Sequence, residues 1–433
     1  MNSNGSREVG ANNELFVWIY PESSADPVQC GALELVGGRL CRFEYAPSWL
    51  AGADADAFEL SPDLPLRPGK FEPPAGLNIH PIFADAGPDR WGRQIIDRVF
   101  RLRRSSEIDY LAVAGEDRIG ALGFSLRPDR YDVVAEQALH TADLAALLSA
   151  AQAIERRMPI DEDMRRLLRP GASAGGARPK AIIQAEGRRW LAKFPAEGDS
   201  VDVCSIEHAS LRLAAACGIA VPDSRLTDVA GRNVLLVERF DRDEAGGRIH
   251  FASARTLLIA QGVDIGSAAY SDIADTARRF SGVPKGDAQE VFRRMVFNVA
   301  MENTDDHEKN HAFLWQDGRW NLAPAYDVQP QLQGIHYQQL KVGRLDYEPS
   351  IRNVLSDCGR FMLTEPEARR EIGRMMGVLA KWPEQFAVAG VRDDDIEACA
   401  RYVRVDEMVK ELDTLGEKPA RASRRSASPS PGA

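Results

Sequence analysis

The spacing of hydrophobic and polar residues changes several times along the chain, and the first change predicts strands. From Glu14 onward, the segments ELFVWIY, GALELV and RLCRFEYA are apolar or alternate between apolar and polar residues, as half-buried strands do. Between the last two segments, the pair Gly37-Gly38 suits a tight hairpin turn, because glycine adopts positive φ readily at both central positions. We therefore place a β-rich region at residues 14–130.

Helical spacing follows inside and after this region. In PDRWGRQIIDRVFRLRR, the apolar residues Trp91, Ile95, Ile96 and Phe100 recur on one helical face, while basic residues occupy the other. DRIGALGF then predicts one more strand, and residues 141–168 have a helical pattern. We interpret the basic amphipathic segment as a packing helix.

A second group of strands surrounds a single helix between residues 131 and 242. The segments AIIQAE, RRWLAKFP and RNVLLVERF are β-prone, and IEHASLRLAAACG has helical spacing up to Gly218, a usual helix terminator. Residues 243–412 are mainly helical in pattern and are interrupted by the polar loop ENTDDHEKN. The order predicts a sheet with one helix followed by a helical lobe.

Composition limits the class of protein. A chain of 433 residues exceeds what one core usually supports, and its net charge of -10 disfavours autonomous binding to nucleic acid. Six scattered cysteines have no CxxC pairing, which indicates reduced core thiols. The sequence starts without the apolar run of a signal peptide and contains no long apolar stretch, so we expect a cytoplasmic protein without membrane contact. We expect disordered tails at residues 1–13 and 413–433.

The strongest chemical signal is the segment NTDDHEKN together with a later aspartate. Phosphoryl transfer needs a carboxylate that orients the acceptor hydroxyl, followed by an amide and a second carboxylate that hold Mg²⁺. Asp305, Asn310 and Asp327 supply these groups in that order, and the step from Asp305 to Asn310 equals the Asp-to-Asn step of the protein-kinase catalytic loop. The usual His-Arg before the aspartate is missing. An ordinary solvated turn rich in Asp and Asn is the alternative for DDHEKN alone.

A glycine-rich stretch precedes the second group of strands. In GASAGGARPK (171–180), glycines allow backbone N–H groups to approach phosphate oxygens, and Lys180 adds positive charge. Pro179 removes one backbone donor from such a loop. The stretch matches neither common phosphate-loop motif, and a flexible interdomain linker would look similar.

Lys193 lies in the strand-like segment WLAKFP, where an ammonium group is costly unless it meets an anion. Glu207 on the following helix is its natural partner, as in the lysine–glutamate pair that orients nucleotide phosphates. The alternative is a strand lysine whose head reaches solvent. VERFDR could be the segment at which backbone groups of Glu238 and Phe240 meet the adenine edge, or simply a charged strand end.

Taken together, GASAGGARPKA, WLAKFP, VERFDR, NTDDHEKNHAF and APAYDVQP resemble the ordered motif set of the HipA family. SPDLPL, FADAGPDRWGRQII and GEDRIGALGF are similar to that family's β-rich N-terminal subdomain, so the resemblance covers about residues 15–410. It implies a divergent protein-kinase-like, two-lobed α+β fold with a β-rich N-terminal subdomain and a mainly helical C-terminal lobe.

The resemblance also implies an activity. It implies a serine/threonine protein kinase that uses ATP and Mg²⁺, with Asp305 as the base and Asn310 and Asp327 as metal ligands. The implied nucleotide-binding positions are Gly175, Gly176, Ala177, Arg178, Pro179, Lys180, Lys193, Glu207, Glu238, Arg239, Phe240, His307 and Lys309. Ser173 matches the loop serine whose autophosphorylation switches such kinases off, although one serine in a small-residue loop would otherwise be routine.

The resemblance further implies partners. Family members are toxins that pair with a small HipB-like helix-turn-helix antitoxin, which binds operator DNA, and an aminoacyl-tRNA synthetase is one implied protein substrate. DNA contact would then be indirect, and the basic tail around Arg421, Arg424 and Arg425 is more simply a solvated tail.

Two other functions stay open at this stage. A catalytically weak pseudokinase could act as an antitoxin-binding co-repressor, although Lys193, Asp305, Asn310 and Asp327 are all retained. A small-molecule phosphotransferase shares the aspartate, asparagine and aspartate layout, but the β-rich N-terminal region argues against it.

Overall fold

The structure, a computed structural model, describes residues 13–22, 24, 26–52, 57–100, 102–132, 138–168, 178–335 and 337–416. Residues 1–12 and 417–433, which belong to the tails expected to be disordered, lie outside these ranges, and so do Ser173, Gly175, Gly176 and Ala177. The described residues form three antiparallel sheets and several groups of helices, which confirms the α+β class.

The N-terminal region is a five-stranded sheet with helices along its connections. Its strands are ordered β4-β3-β2-β1-β5. They are β1 (Glu14–Ile19), β2 (Val28–Val36), β3 (Leu40–Tyr45), β4 (Lys70–Phe71) and β5 (Leu122–Ser125), and the helices are α1 (Pro47–Leu50), α2 (Pro81–Asp85), α3 (Arg90–Val99) and α4 (Glu107–Val113). Gly37 and Gly38 have φ values of 59° and 70° between β2 and β3, so the predicted turn is confirmed.

A four-stranded sheet follows, with the order β6-β7-β9-β8. Two helices precede it, where the sequence pattern over residues 141–168 was helical throughout. The helix is interrupted because residues 156–161 are not helical. The elements are α5 (Leu144–Glu155), α6 (Glu162–Leu168), β6 (Lys180–Ala185), β7 (Arg188–Lys193), α7 (Val203–Ala216), β8 (Ser224–Val229) and β9 (Arg232–Glu238).

The remaining chain is mainly helical and contains a small sheet of order β10-β11-β12. This lobe comprises β10 (His250–Ser253), α8 (Ala254–Ala260), α9 (Tyr270–Phe280), α10 (Pro284–Ala300), β11 (Ala312–Gln316), β12 (Arg319–Leu322), α11 (Ile351–Ser356), α12 (Glu365–Leu379), α13 (Trp382–Val388), α14 (Asp393–Ala400) and α15 (Val405–Gly416). Helix α15 continues past residue 412, where the sequence pattern suggested that the folded part ends.

The hydrophobic core joins the first sheet to the helical lobe. One continuous cluster of buried side chains contains Phe43 and Ile82 from the N-terminal region and Tyr270 and Phe292 from α9 and α10. A second cluster lies between the four-stranded sheet and α5, and a third joins α3 and α4 to α5 and α6. The N-terminal region therefore packs against the helical lobe and against helices α5 and α6, which precede the four-stranded sheet.

The cysteines have the state expected from the sequence. All six are free thiols, and only Cys358 is partly exposed. Among the described helices, none combines the length and the hydrophobicity that a bilayer crossing requires.

Candidate active site

A cleft of about 510 Å³ separates the four-stranded sheet from the helical lobe. Strands β6, β7 and β9 form its upper wall, and residues 303–310, here called the 303–310 loop, form its floor together with Tyr326 and Asp327. Lys193, Asp305, Asn310 and Asp327, which the sequence analysis assigned to one site, all line it. Folding therefore brings together groups that are far apart in sequence.

Lys193 ends β7 and forms ion pairs with two carboxylates. Its Nζ lies 2.5 Å from Glu207 Oε1 on α7, and it also contacts the carboxylate of Asp327. Burial alone would lower the pKa of Lys193, but the charges of Asp327 and Glu207 outweigh burial, so its pKa is raised. Lys193 is therefore a fixed cation, and its side chain is not directed to bulk solvent.

Helix α7 holds Glu207 because its first turn is capped. The Asp202 carboxylate accepts a hydrogen bond from the Ser205 N–H at 3.1 Å, and Asn233 Nδ2 donates to the other Asp202 oxygen at 2.6 Å. The helix ends before Gly218, whose φ is 80°, as the sequence predicted. Glu207 is buried, and burial raises its pKa against the opposing effect of Lys193.

Asp327 is the acidic group at the centre of the cleft. Its backbone has a φ of 53°, a conformation that is uncommon for non-glycine residues and that aspartate adopts more readily than most. Although burial opposes ionisation, Lys193 and Lys180 lower the pKa of Asp327 to about 2. Its carboxylate is therefore charged at neutral pH.

Lys180 lies in β6 and not in the glycine-rich loop to which the sequence analysis assigned it. Lys180 is directly opposite Lys193 in the antiparallel β6–β7 pair, so both side chains point to the same face of the sheet. Its side chain is buried, and this burial lowers its pKa. Lys180 and Lys193 thus both lie close to the carboxylates of Glu207 and Asp327.

In the 303–310 loop, two adjacent aspartates point in opposite directions. Asp305 is exposed, and Gln339 Nε2 donates to its Oδ1 at 2.8 Å. Asp306 is buried, and its Oδ2 accepts hydrogen bonds from the Tyr270 hydroxyl at 2.6 Å and Asn298 Nδ2 at 2.8 Å. His311 Nε2 lies 2.9 Å from the same oxygen.

Asp306 anchors this loop to the helical lobe. Burial by itself would raise the pKa of Asp306, but His311 and the hydrogen-bond donors outweigh it and the pKa is lowered. Asn310, which ends a short 3₁₀ turn, donates from Nδ2 to the Asp305 carbonyl oxygen at 3.4 Å. The sequence analysis gave Asp306 no role, because nothing in the spacing shows which of two neighbouring aspartates turns inward.

Part of the cleft wall is apolar. Ile182, Leu191, Val237 and Phe251 line it, and the ring of Phe240 lies 5.5 Å from that of Tyr326. Such a surface suits a flat heteroaromatic ring.

The segment around Glu238 differs in part from the expected nucleotide contacts. The Glu238 N–H donates to the Asp223 carbonyl at 2.8 Å, so this amide is already occupied. The guanidinium of Arg239 binds the Asp241 carboxylate and the carbonyls of Asp117 and Arg118. Phe240 remains the residue of this segment whose ring faces the cleft.

Three other predicted positions have partners at the edge of the cleft. Arg178 pairs with Asp199, and the Pro179 carbonyl accepts a hydrogen bond from the Phe194 N–H at 2.9 Å. His307 lines the cleft, and its Nδ1 accepts a hydrogen bond from the Lys309 N–H at 3.3 Å.

The N-terminal region contributes a wall that the sequence analysis did not foresee. Asp89 Oδ1 lies 3.0 Å from Lys309 Nζ, so this lysine is paired at the lip of the cleft. Two residues later, Trp91 Nε1 donates to the Lys180 carbonyl at 3.0 Å. The sequence analysis had interpreted the segment that starts at PDRWG as a packing helix and had noted FADAGPDRWGRQII for a family resemblance. Its contacts with the cleft were not predictable, since side chains so distant in sequence give no spacing signal.

Asp85 at the end of α2 fixes the start of α8. Its carboxylate accepts hydrogen bonds from the Ser253 N–H at 2.7 Å, the Ser253 hydroxyl at 2.9 Å and the Thr256 hydroxyl at 2.6 Å. Helix α8 in turn holds the 303–310 loop through the ion pair between Arg255 and Glu308. Glu308 is therefore buried and paired.

The donors in the cleft fit a magnesium ion that is bound together with a phosphate ligand. Asp327 and Asn310 both line the cleft and have side-chain oxygens, and no group of three or more His, Cys, Asp or Glu residues in the described part of the chain could hold a metal ion by itself. Mg²⁺ usually takes one or two protein ligands and completes its shell with water and phosphate oxygens. A two-residue donor set is consistent with that preference.

Comparison with protein families gives two matches. Residues 24–125 match the HipA N-terminal domain, and residues 172–382 match the HipA-like C-terminal domain. Together they cover well over half of the chain.

Individual relatives are more distant. Y4mE of Sinorhizobium fredii is 27% identical over 311 residues, which cover 66% of this chain and 71% of that protein. Y4dM of the same organism is 26% identical over 280 residues, covering 60% and 64% respectively. Both proteins bear provisional kinase names.

A solved structure has the same fold. HipA of Shewanella oneidensis, determined in a toxin–antitoxin complex with HipB and operator DNA, superposes with a TM-score of 0.67 at 16% identity. The superposition covers 94% of this chain and 100% of that one. The two-lobed fold with an N-terminal β-rich subdomain is thereby confirmed.

Proposed function

This chain belongs to the HipA family of kinases, and on that premise we propose that it is an ATP- and Mg²⁺-dependent serine/threonine protein kinase, the toxin of a toxin–antitoxin pair. The observation that carries the proposal is that Lys193, Asp305, Asn310 and Asp327 line one cleft whose wall is apolar in part. These groups have the chemistry that phosphoryl transfer requires.

The residues of the cleft have distinct tasks in this proposal. When bound, ATP supplies the γ-phosphoryl group, and Mg²⁺ neutralises charge on the phosphate oxygens. Lys193 and Lys180 provide positive charge against the phosphates, and Glu207 keeps Lys193 in place whichever group Asp327 binds. Asn310 and Asp327 offer the oxygens that would hold the metal.

Asp305 is the proposed base. Its exposed carboxylate accepts the proton of a serine hydroxyl while that oxygen bonds to the γ-phosphorus and the bond to the β-phosphate oxygen breaks, releasing ADP. The carboxylate is open on the solvent side, which suits an acceptor as large as a protein. An aminoacyl-tRNA synthetase is the acceptor class we propose on the family resemblance.

We also propose that autophosphorylation of Ser173 switches the enzyme off. Ser173 lies outside the described residues, and the proposal rests on its place in the glycine-rich stretch. Phosphorylation adds about two negative charges to a segment that must face ATP phosphates, so repulsion disfavours the active arrangement.

The proposed partner is a HipB-like helix-turn-helix antitoxin, with DNA reached only through that complex. The net charge of -10 supports an indirect contact, because the chain as a whole is repelled by a phosphate backbone. The likeness to a HipA that was solved with HipB and operator DNA supports the same partner class.

The test is transfer of labelled phosphate from [γ-³²P]ATP to protein. We expect Asp305→Asn and Asp327→Asn each to reduce transfer by about 100-fold or more, because each removes a group that acts in the transition state. Asp413→Asn, at an exposed position on α15, is the matched control and should keep full activity.

Three outcomes would contradict the proposal. Full phosphate transfer by both Asp305→Asn and Asp327→Asn would contradict the roles assigned to these two residues. A wild-type chain that binds no nucleotide would be a pseudokinase, and labelling of aminoglycosides or amino alcohols without labelled protein would indicate a small-molecule phosphotransferase.

A further inference from the structure

The chain between Asp327 and α11 contains an irregular segment, residues 337–342, that lies beside Asp305. Over residues 337–342 burial alternates: Gln338, Leu340 and Val342 are buried, whereas Tyr337 and Gln339 are exposed. The backbone bends at Tyr337, Gln339 and Leu340, and it forms one isolated parallel bridge, between Lys341 and Ala269. The segment thus has a fixed inner face and a free outer face.

Hydrogen bonds to the helical lobe hold this segment in place. The Lys341 N–H donates to the Ala268 carbonyl at 3.0 Å, and the Tyr270 N–H donates to the Lys341 carbonyl at 3.1 Å. Leu340 and Val342 belong to the main hydrophobic cluster. The backbone next to Gln339 is therefore anchored at the N-terminus of α9, the same helix whose Tyr270 binds Asp306.

Gln339 connects the outer face of the segment to the proposed base. Its Nε2 donates to Asp305 Oδ1 at 2.8 Å across a sequence separation of 34 residues. Within the described ranges, no other side chain is recorded as a donor to this carboxylate. Among the described residues, none occupies Oδ2, so this oxygen can accept a proton from an acceptor hydroxyl.

An exposed aspartate carboxylate rotates over a broad range, since its terminal torsion has no sharp minimum. A donor on one oxygen fixes the plane of the carboxylate and therefore the direction of the second oxygen. Proton transfer requires that oxygen within hydrogen-bond reach of the acceptor hydroxyl, and small misplacements are costly. A bond from an anchored segment provides this orientation.

We propose that Gln339 is a positioning residue for the acceptor step: it holds Asp305 through Oδ1 so that Oδ2 faces the incoming hydroxyl. The proposal rests on the proposed kinase function, and it separates the acceptor side of the site from the ATP side, since Gln339 does not line the nucleotide cleft. Loss of Gln339 should therefore affect phosphate transfer and leave ATP binding intact.

Two substitutions of nearly equal size test the proposal. Gln339→Met keeps the length of the side chain and removes the donor, while Gln339→Glu replaces the donor with a charge that repels Asp305. We expect kcat for transfer to fall about tenfold in Gln339→Met, as for the loss of one hydrogen bond to a charged group, and further in Gln339→Glu. Gln333→Met, another exposed glutamine of the same connection, is the matched control.

Two assays are compared on the full chain. Binding of a fluorescent ATP analogue should be the same in all variants, and transfer from [γ-³²P]ATP is measured with dephosphorylated casein and with the Asp327→Asn chain as probe acceptors. The inference is supported if phosphate transfer decreases from the wild type to Gln339→Met and again to Gln339→Glu while the affinity for the ATP analogue stays constant. A structural role would instead change both assays together.

The outcomes distinguish this inference from the function on which it rests. If the wild-type chain transfers no phosphate to either acceptor, the proposed function fails and the role of Gln339 fails with it. If the wild type is active and both Gln339 variants match Gln333→Met, the kinase assignment stands and the inference is overturned. A parallel loss of ATP affinity in the Gln339 variants also overturns it.

Discussion

Asp305 and Asp306, two adjacent aspartates of the 303–310 loop, have different roles because their surroundings differ. Asp305 has solvent on one side and Gln339 on the other, whereas Asp306 is buried against Tyr270, Asn298 and His311. Only the exposed carboxylate can meet an acceptor. The buried one fixes the loop that carries it.

The first prediction concerns Asp306. Asp306→Asn should lower the free energy of unfolding at pH 7 by about 1.5–3 kcal/mol, the usual worth of hydrogen bonds to a buried charge. Because the pKa of Asp306 is lowered in the folded state, its contribution is complete above the pKa of the unfolded chain, about 3.9, and is lost as the pH falls through the folded value. Urea unfolding at neutral and acidic pH measures this difference.

Asp413→Asn serves as the control for this experiment, since Asp413 is exposed. The difference between wild type and Asp306→Asn should narrow on acidification. A difference that widens at low pH would contradict the direction of the pKa shift.

The sequence predicted those site residues whose type and spacing match a known chemical requirement. It missed residues that approach the site only when the chain folds. Lys193 and Glu207 could be paired in advance, because a strand lysine among apolar neighbours needs an anion. Gln339 could not, because an exposed glutamine in an irregular segment has no spacing signal. Lys180 was predicted near the phosphates, but it reaches the cleft from a strand.

At the scale of elements, segments with a strong periodicity of apolar residues were predicted, and strands in which this periodicity is weak were missed. Strand β8 was missed because none of Ser224–Asp228 is fully buried, so its alternation is faint. Strand β10 was missed as well; all four of its residues are buried, so it shows no alternation, and its pairing with β11 defines it. Such strands form because a neighbour offers a free edge.

The second prediction concerns the contact between α2 and α8. Asp85→Ala leaves three donors of Ser253 and Thr256 without their acceptor, and we expect it to lower the free energy of unfolding by about 1–3 kcal/mol. Asp85→Asn should cost less, because burial raises the pKa of Asp85 and a neutral side chain of the same shape is tolerated. Urea unfolding of the two variants at pH 7 compares them.

Equal losses in the two variants would show that the charge of Asp85, rather than its hydrogen bonds, holds α8. Phosphate transfer by Asp85→Ala provides a further readout. It should fall with stability, since α8 supports the 303–310 loop through Arg255 and Glu308.

For the whole molecule, the third prediction is a single unfolding transition. The main hydrophobic cluster includes side chains from the first sheet and from α9 and α10, so neither part has a complete core by itself. Calorimetry of the full chain should give a ratio of calorimetric to van't Hoff enthalpy of about one. A fragment of residues 131–416 should lack a cooperative transition, because its share of the core would be exposed to water.

Two separate transitions, or a stable 131–416 fragment, would contradict this view. The sequence analysis had placed a β-rich region at residues 14–130 from its strand patterns and had treated it as a subdomain on the family resemblance. Periodicity shows which face of an element is buried but not what covers it. The extent of the shared core was therefore not predictable.

The start of α3 sets a geometric limit on how the two lobes can part. Asp89 holds Lys309 on the floor, and Trp91 holds the Lys180 carbonyl on the upper wall, with only one residue between them. A fully extended chain advances at most about 3.6 Å per residue, so this tether spans about 7 Å between Cα atoms. While both bonds persist, the two lobes cannot separate at this corner of the cleft. Any opening motion that admits a nucleotide must therefore pivot at this corner and widen the cleft along its opposite rim.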